Sequence, residues 1–320
     1  MGRTGGEGHA EVMSTPPNRR PILVGVDGSD GSRRAVHWAA RLGARERRPI
    51  LLLHAGAPLR VDVSGAATSP AVNEVLAHEH AGHHALVAAA ARAAARLEPT
   101  LEVRTEVDPA GARAALLAHS RDAEVVVLGT RRTGLLRSAP IGRLTGALLH
   151  GSRCPVVVVR SPPERVAATG VVVGVDGTAR SAPALRFAAR MAAAWDEPLL
   201  VVHCYWPPSL LGEEPTQFGT SEEQRLVLAE QVAGLGVDHP ELVVRTRLLQ
   251  DFADRTLVRE AASRRLLVIG HHRAGLLQEV VWGSVAPAVL RHSDGDVAVV
   301  PVVDLAADEP SADHPASARA

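Results

Sequence analysis

An internal repeat constrains the fold of this chain more than any other feature. The segment at 22–58, ILVGVDGSDGSRRAVHWAARLGARERRPILLLHAGAP, aligns without a gap with the segment at 171–207, VVVGVDGTARSAPALRFAARMAAAWDEPLLVVHCYWP. The offset is 149 residues here and 141 residues further along, where Gly129 aligns with Gly270. The second copy is therefore eight residues shorter, and we place the deletion between its second and third strands. Self-similarity of this length predicts a duplicated domain.

Each copy alternates short β-branched runs with longer alanine-rich stretches, the pattern of βα units around a parallel sheet. The runs at 125–128 and 156–159 are apolar at every position, as expected when helices cover both faces of the sheet. We therefore predict an α/β fold with five strands per copy. The predicted strands are 21–27, 49–55, 101–107, 124–130 and 154–160 in the first copy, and 170–176, 198–204, 241–249, 265–271 and 296–302 in the second.

Breaks in this pattern set the predicted domain boundaries. Ser161, Pro162 and Pro163 interrupt the alternation after the first copy. The end of the chain is rich in Ala, Asp, Pro and Ser without periodicity, which is typical of disorder. The predicted organisation is a disordered tail at 1–20, a first domain at 21–161, a linker at 162–169, a second domain at 170–303 and a disordered tail at 304–320.

Composition excludes several classes of function. Acidic and basic residues balance at 35 each and few residues are aromatic, so we expect no nucleic-acid partner. The sequence contains no lysine, which rules out a Schiff-base amine and the phosphate-binding lysine of a P-loop. No apolar run reaches membrane-spanning length, and the first twenty residues lack the apolar core of a signal peptide. We expect a cytoplasmic protein with no membrane partner, in which Cys154 and Cys204 are structural thiols.

Parallel α/β sheets bind ligands beyond the carboxyl ends of their strands, where the strand order reverses. After the first strand the copies read VGVDGS and VGVDGT, which places Asp27 and Asp176 at the strand ends. Such a carboxylate can accept a hydrogen bond from a ribose hydroxyl or an adenine amino group. The same residues are also typical of a capped turn, with Ser29 or Thr178 as the helix N-cap. Both interpretations stay open on the sequence.

After the fourth strand the copies read LGTRRTGLLRSAPIGRLT and IGHHRAGLLQEVVWGSVA. Glycines in such a loop let backbone amides approach a phosphate, and the N-terminus of the following helix attracts it. Together with VGVDGS and the closing CPVVVV strand, these motifs resemble the universal stress protein family over nearly the whole chain. The resemblance implies two tandem Rossmann-like domains of the adenine nucleotide alpha hydrolase-like type. Each is an open five-stranded parallel sheet with helices on both faces, and many members bind ATP.

The ATP-binding members carry Gly-x-x-Gly, nine residues, and then Gly followed by Ser or Thr. Positions that fit are Gly129, Gly142 and Thr145 in the first copy and Gly270, Gly283 and Ser284 in the second. Positions that depart are Arg132 and Arg143 in the first copy and Arg273 and Ala286 in the second. A loop arginine either adds a charge-assisted hydrogen bond to a phosphate or fills the space that the phosphate needs. We favour binding of ATP in the second copy, and the motif leaves a requirement for magnesium undecided.

The resemblance thus gives a set of residues expected to bind the adenine nucleotide. They are Asp27, Gly28, His54, Gly129, Gly142 and Thr145 in the first copy, and Asp176, Gly177, His203, Gly270, Arg273, Gly283 and Ser284 in the second. We expect at most one ATP site per chain, because Arg143 at a helix start occupies space and opposes the helix dipole. We also expect Asp27 and Asp176 to serve the site rather than the core.

Other clusters point less clearly to chemistry. One predicted helix carries four histidines without an HExxH pattern, and we interpret it as a solvated face rather than a zinc site. These are His78, His80, His83 and His84. His271 and His272 in the strand-four loop either contact a phosphate or are exposed. The motif positions assemble no Ser–His–Asp arrangement and no GxSxG, so we do not expect a dedicated enzyme.

Three functions therefore remain open. The first is a nucleotide-binding stress-response protein, and the second is a family member that has lost the nucleotide and serves as a protein interaction module. The third is a nucleotide-hydrolysing or adenylating enzyme, which would need an SGGxDS-like loop after the first strand. The sequence lacks that loop, so this function is ranked last.

We further expect the fifth strands, at 156–159 and 297–300, to pair antiparallel as an intrachain pseudo-dimer, because bare apolar edges would aggregate. A homodimer of whole chains is left open.

Overall fold

The structure is a computed structural model that describes residues 19–56, 70–130, 142–160, 168–205, 221–272 and 285–302. Nearly all of the predicted tails and most of the predicted linker lie outside these ranges. The chain divides into two compact units between residues 131 and 132. The boundaries at 21–161 and 170–303 describe the sequence copies rather than these units, and they stay a prediction.

The described residues of the first unit form four parallel strands and three helices. The strands are β1 (Ile22–Gly25), β2 (Ile50–Ala55), β3 (Val103–Asp108) and β4 (Val125–Gly129), in the order β3-β2-β1-β4. The helices are α1 (Asp30–Glu46), α2 (Pro70–Leu97) and α3 (Ala112–His119). Ile22, Leu23 and Val24 are fully buried, as expected of a strand with helices on both faces.

Within the described ranges, the second unit contains six strands in the order β5-β10-β9-β6-β7-β8. These strands are β5 (Val156–Val159), β6 (Val171–Val175), β7 (Leu199–Cys204), β8 (Val244–Leu249), β9 (Leu266–His272) and β10 (Asp296–Val302). Its helices are α4 (Arg143–Gly151), α5 (Ala182–Trp195), α6 (Ser221–Ala233), α7 (Leu235–Asp238), α8 (Ala253–Ala261) and α9 (Val285–His292), and a 3-10 turn at Ala179–Ser181 precedes α5. The α/β fold class and all ten predicted strands are confirmed. None of the described helices has the length and apolarity needed to cross a bilayer.

The eight-residue deletion falls where the sequence predicts it. Equivalent strands start at Ile50 and Leu199, an offset of 149, and then at Val103 and Val244, an offset of 141. The shortening therefore lies between the second and third strands of the second copy.

The fifth strands of the two copies pair with each other inside the second unit. Val158 lies opposite Val297 and Val156 opposite Val299 in an antiparallel ladder, whereas the other strand pairs of the unit are parallel. The antiparallel pairing predicted for these strands is therefore confirmed. Arg160, just beyond β5, donates from its guanidinium to the carbonyl oxygens of Leu290 and Ser293 at the end of α9. A cation at this position satisfies carbonyls that the helix leaves unpaired.

One ion pair occurs at equivalent positions in both copies with its charges exchanged, and a second polar contact recurs with other residue types. Arg48 Nη1 lies 3.3 Å from Glu124 Oε2 in the first copy. The residues at the corresponding positions of the second copy are Glu197 and Arg265, and Arg265 Nη2 lies 2.5 Å from Glu197 Oε1. The second contact joins His119 and Glu106 in the first copy. The corresponding residues of the second copy are Glu260 and Arg247, which form an ion pair. Both contacts are therefore retained in the two copies although neither residue type is retained.

Candidate functional site

Each unit contains one point at which the strand order reverses. In the first unit the chain leaves β1 for β2 on one side and returns to β4 on the other, and in the second unit β6 has the same relation to β7 and β9. The carboxyl ends of β1 and β4, and of β6 and β9, therefore flank a crevice of the kind in which open α/β sheets bind ligands. The structure brings Asp27, Gly28 and Gly129 to the first point, and Asp176, Gly177 and Gly270 to the second.

The aspartates at these strand ends organise the turns that follow them. Asp27 Oδ1 accepts hydrogen bonds from the amide and the hydroxyl of Ser29, at 3.0 and 2.5 Å. Asp176 Oδ1 accepts from Thr178 N at 2.9 Å, Thr178 Oγ1 at 2.8 Å and Ser181 Oγ at 2.6 Å. Both aspartates are exposed, so neither belongs to the core. The capped turn that the sequence left open is present in both copies.

The residue after each aspartate has to be glycine for conformational reasons. Gly28 and Gly177 have φ angles of 79° and 80°, in the left-handed region that side chains with a Cβ atom disfavour. After the turn, Ser29 accepts a hydrogen bond from Ser32 N and caps α1, while Thr178 accepts from Arg180 N and caps the 3-10 turn before α5. Both predicted N-caps are confirmed.

A histidine on the second strand of each copy is bonded to the first strand. His54 Nδ1 lies 2.7 Å from Val26 O, and His203 Nδ1 lies 2.9 Å from Val175 O. Because the backbone oxygen only accepts, Nδ1 carries the proton in both rings. In that tautomer Nε2 of His203 accepts, and it lies 2.8 Å from the side-chain amide of Gln224 on α6, whose NH2 group is the matching donor. His54 instead lies beside His83 of α2, with ring centroids 4.7 Å apart.

Gly129, which ends β4, and the aligned Gly270, two residues before the end of β9, have different environments. A Cβ atom on Gly129 would lie 1.8 Å from the carbonyl oxygen of Gly31, because the first turn of α1 packs directly on the end of β4. Arg34 Nη2 also donates to Thr130 O at 2.8 Å. A Cβ atom on Gly270 would meet Val302 at 3.5 Å, an ordinary contact and the shortest one within the described ranges. Gly129 is therefore required for packing of α1 against β4.

The remaining predicted site residues lie at or before the fourth-helix starts. Gly142 is the N-cap of α4, Arg143 is the first residue of this helix and is exposed, and Thr145 follows in its first turn. Arg132, Arg273, Gly283 and Ser284 lie outside the described residues. Helix α9 starts at Val285, and Ala286, which replaces the second hydroxyl residue of the signature, is buried.

Three polar residues at the second switch point were missed by the sequence analysis. Ser181 Oγ accepts from Asp176 N at 2.9 Å, Gln224 contacts His203, and Gln231 Nε2 donates to Thr178 O at 2.8 Å. Ser181 aligns with Ser32, so the repeat itself could have identified it. The two glutamines lie on α6, in the region where the copies differ in length, and no alignment signal marks them.

The thiol at the end of β7 is held in its neutral form. Burial raises the pKa of Cys204 from 9.0 to about 11, and a hydrogen bond with Thr256 offsets part of that rise. The nearby carboxylate of Asp251 raises the pKa further. The pKa of Asp251 is itself lowered, chiefly by the hydrogen bond from Phe252 N. Cys204 is therefore not an activated nucleophile.

Comparison with known proteins places both copies in one family. The model of the universal stress protein family matches residues 18–160 and again 169–301. A universal stress protein of Mycolicibacterium smegmatis is 32% identical over 287 residues, covering 87% of this chain and 96% of that protein. Universal stress protein Rv2005c of Mycobacterium tuberculosis is 30% identical over 299 residues, covering 91% of this chain and 98% of its own length.

Solved structures agree at the level of the fold. A universal stress protein from Archaeoglobus fulgidus superimposes with a TM-score of 0.66 at 16% identity, covering 89% of this chain and 99% of its own. Protein PA1789 from Pseudomonas aeruginosa gives a TM-score of 0.60 at 18% identity, with 89% and 93% covered. Two matches to the family model, together with relatives that are similar along most of their length, show that the chain is a tandem member of the universal stress protein family.

Proposed function

We propose that this protein binds an adenine nucleotide, ATP in the first instance, at the switch point of the second copy. The nucleotide would set the conformation or the partner binding of a stress-response protein, so the proposed role is binding rather than catalysis. The observation that carries the proposal is the contrast between Gly129 and Gly270. The backbone of α1 closes onto Gly129, whereas Gly270 has only ordinary contacts among the described residues.

The second switch point also carries polar groups suited to a nucleoside. Asp176 and His203 lie at the carboxyl ends of the adjacent strands β6 and β7, and hydrogen bonds to Thr178, Ser181 and Gln224 hold them in place. Side chains restrained in this way need little further ordering when a ligand binds. They support recognition of a ribose or adenine by hydrogen bonding.

The residues proposed to bind the phosphates are chosen from the sequence pattern. Gly283 and Ser284 directly precede α9, and the positive end of a helix stabilises a phosphate. Arg273 would add a charge-assisted hydrogen bond. In the first copy, Arg143 is the first residue of α4 and opposes the helix dipole there. These features support one site per chain.

Titration of the full chain with ATP tests the proposal directly. Calorimetry should give one site per chain, and native mass spectrometry of the purified protein should show an adenine nucleotide leaving with it. Gly283→Val with Ser284→Ala should abolish binding. Gly142→Val is the matched control, because a Cβ atom at Gly142 would come no closer than 4.0 Å to a described atom, Thr145 Oγ1.

Other outcomes would point elsewhere. Two equivalent sites, or loss of binding only in Gly142→Val, would contradict the assignment to the second copy. No binding by the unmodified protein would favour the interaction module.

We also propose a cytoplasmic location, which is supported by Cys154 and Cys204, both free thiols of the kind that a reducing compartment preserves.

A further inference from the structure

Three potential metal ligands converge at one edge of the first unit, away from the switch point. Glu106 and Asp108 are two residues apart on β3, so their side chains leave the same face of the strand. His119 is the last residue of α3. One ligand atom from each of the three lies within 4.8 Å of the others. We propose that Glu106, Asp108 and His119 bind a divalent transition-metal ion, namely zinc.

The distances between these atoms suit tetrahedral zinc. His119 Nε2 lies 3.3 Å from Glu106 Oε1 and 3.4 Å from Asp108 Oδ2. Zinc binds nitrogen and carboxylate oxygen at about 2.0–2.2 Å, which separates neighbouring tetrahedral ligands by about 3.3–3.5 Å. The two measured distances fall at this separation. Three protein ligands leave a fourth position for water.

A hydrogen bond from the backbone orients Asp108 for this role. Its Oδ1 accepts from Ala110 N at 2.6 Å, which leaves Oδ2 as the oxygen that faces His119. The Asp108 side chain is 18% exposed and that of His119 25% exposed, so a bound ion would be partly shielded from water. Such outer contacts fix the orientation of a metal-binding carboxylate.

The second copy shows what the site would be if it were only an ion pair. There Arg247 Nη1 lies 2.6 Å from Glu260 Oε2, and one cation meets one carboxylate. The position of Asp108 is occupied by Leu249. The first copy instead places two carboxylates on one imidazole, and one imidazolium would neutralise only one of them. A divalent cation neutralises both carboxylates and binds the neutral imidazole.

Metal titration of the untagged full-length protein, after dialysis against EDTA, tests this proposal. Calorimetry should show one zinc ion bound per chain at this site, and cobalt substituted for zinc should give the intense visible absorption of tetrahedral coordination. Asp108→Asn retains the acceptor for Ala110 N and should weaken binding at least about 100-fold, because even outer contacts of a metal site are worth 10–100-fold. His119→Gln should do the same.

Controls separate this site from other histidines. His80 and His84 are exposed and one turn apart on α2, and they are the main competitor for zinc. The double variant His80→Gln/His84→Gln should leave the cobalt spectrum unchanged, as should Arg247→Gln/Glu260→Gln at the equivalent place in the second copy. Zinc binding that survives Asp108→Asn and His119→Gln, or is lost with His80 and His84, would overturn the proposal. So would an unmodified protein that binds no zinc.

Discussion

The guanidinium of Arg265 holds the carboxylate of Glu197 through two nitrogens, with Nε at 2.7 Å and Nη2 at 2.5 Å from Oε1. The carboxylate is also bonded to the backbone, since Glu197 Oε2 accepts from Gly170 N at 2.6 Å. Only 9% of the Glu197 side chain is exposed. Arg265 in turn lies over the ring of Trp195, 5.3 Å from its centroid. This pair therefore fastens the end of α5 to the start of β9.

A double-mutant cycle measures the contribution of this pair to stability. Glu197→Gln should lower the free energy of unfolding by about 2 kcal/mol or more, because it leaves a partly buried guanidinium without its counter-charge. The cycle with Arg265→Gln should give a coupling energy of about 1–2 kcal/mol. The matched control is the exposed pair Glu102 and Arg104, for which we expect no more than about 0.5 kcal/mol. Equal coupling in both pairs would contradict the structural role. Urea unfolding provides the measurement.

The two fourth-strand glycines should differ in their tolerance of a methyl group. Gly129→Ala forces backbone atoms of α1 and β4 apart and should cost about 1–3 kcal/mol or more. Gly270→Ala introduces only ordinary contacts and should change stability by less than about 1 kcal/mol. Thermal unfolding of the ligand-free protein compares them. Equal losses would mean that the ends of β4 and β9 are packed alike, which would also weaken the proposed difference between the copies.

Asp176 should separate a role in the turn from a role in binding. Asp176→Asn keeps an acceptor for Thr178 and Ser181 while removing the charge, so the stability of the apo protein should change by less than about 1 kcal/mol. Asp176→Ala removes the acceptor as well and should cost about 1–2 kcal/mol. We expect both variants to bind ATP more weakly. If Asp176→Asn bound ATP normally while Asp176→Ala lost only stability, the aspartate would serve the turn alone.

The Cys204 thiol should be slow to alkylate at neutral pH. Because its pKa is raised to about 11, the thiolate fraction grows only as the pH approaches that value, whereas in the unfolded chain it grows around pH 9.0. The folded protein holds this proton more tightly, so Cys204 contributes stability below pH 9 that is lost as the pH rises toward 11. Iodoacetamide labelling followed by peptide mass spectrometry, with and without urea, gives both profiles. Coincident profiles would contradict the burial effect.

The sequence predicts the strands well because β-branched runs occur at equivalent places in both copies. The turns at Asp27 and Asp176 were predictable because their hydrogen bonds join residues that are close in sequence. The contact between Gly31 and Gly129 was not, because two glycines distant in sequence carry no pattern that joins them. The exchanged ion pair was even harder to predict from the sequence. In the alignment, Arg48 opposite Glu197 looks like an unrelated substitution. The structure shows that their partners, Glu124 and Arg265, have exchanged charge as well.

The contrast between His54 and His203 has the same origin. Both align and both bond to the first strand, yet one ring meets His83 and the other meets Gln224. These partners lie on helices of unequal length, where the offset between the copies changes. Periodicity predicts that a helix follows the second strand, and packing against the sheet decides which of its side chains reaches the histidine.

The antiparallel ladder between β5 and β10 joins two strands of the same polypeptide. Its formation is therefore a unimolecular event, and its equilibrium does not depend on how much protein is present. Two separate chains that met through the same strands would come apart on dilution, whereas a tether fixes the local concentration of each strand around the other. A scarce protein and an abundant one would keep the same pairing. Covalent duplication thus makes this contact insensitive to expression level.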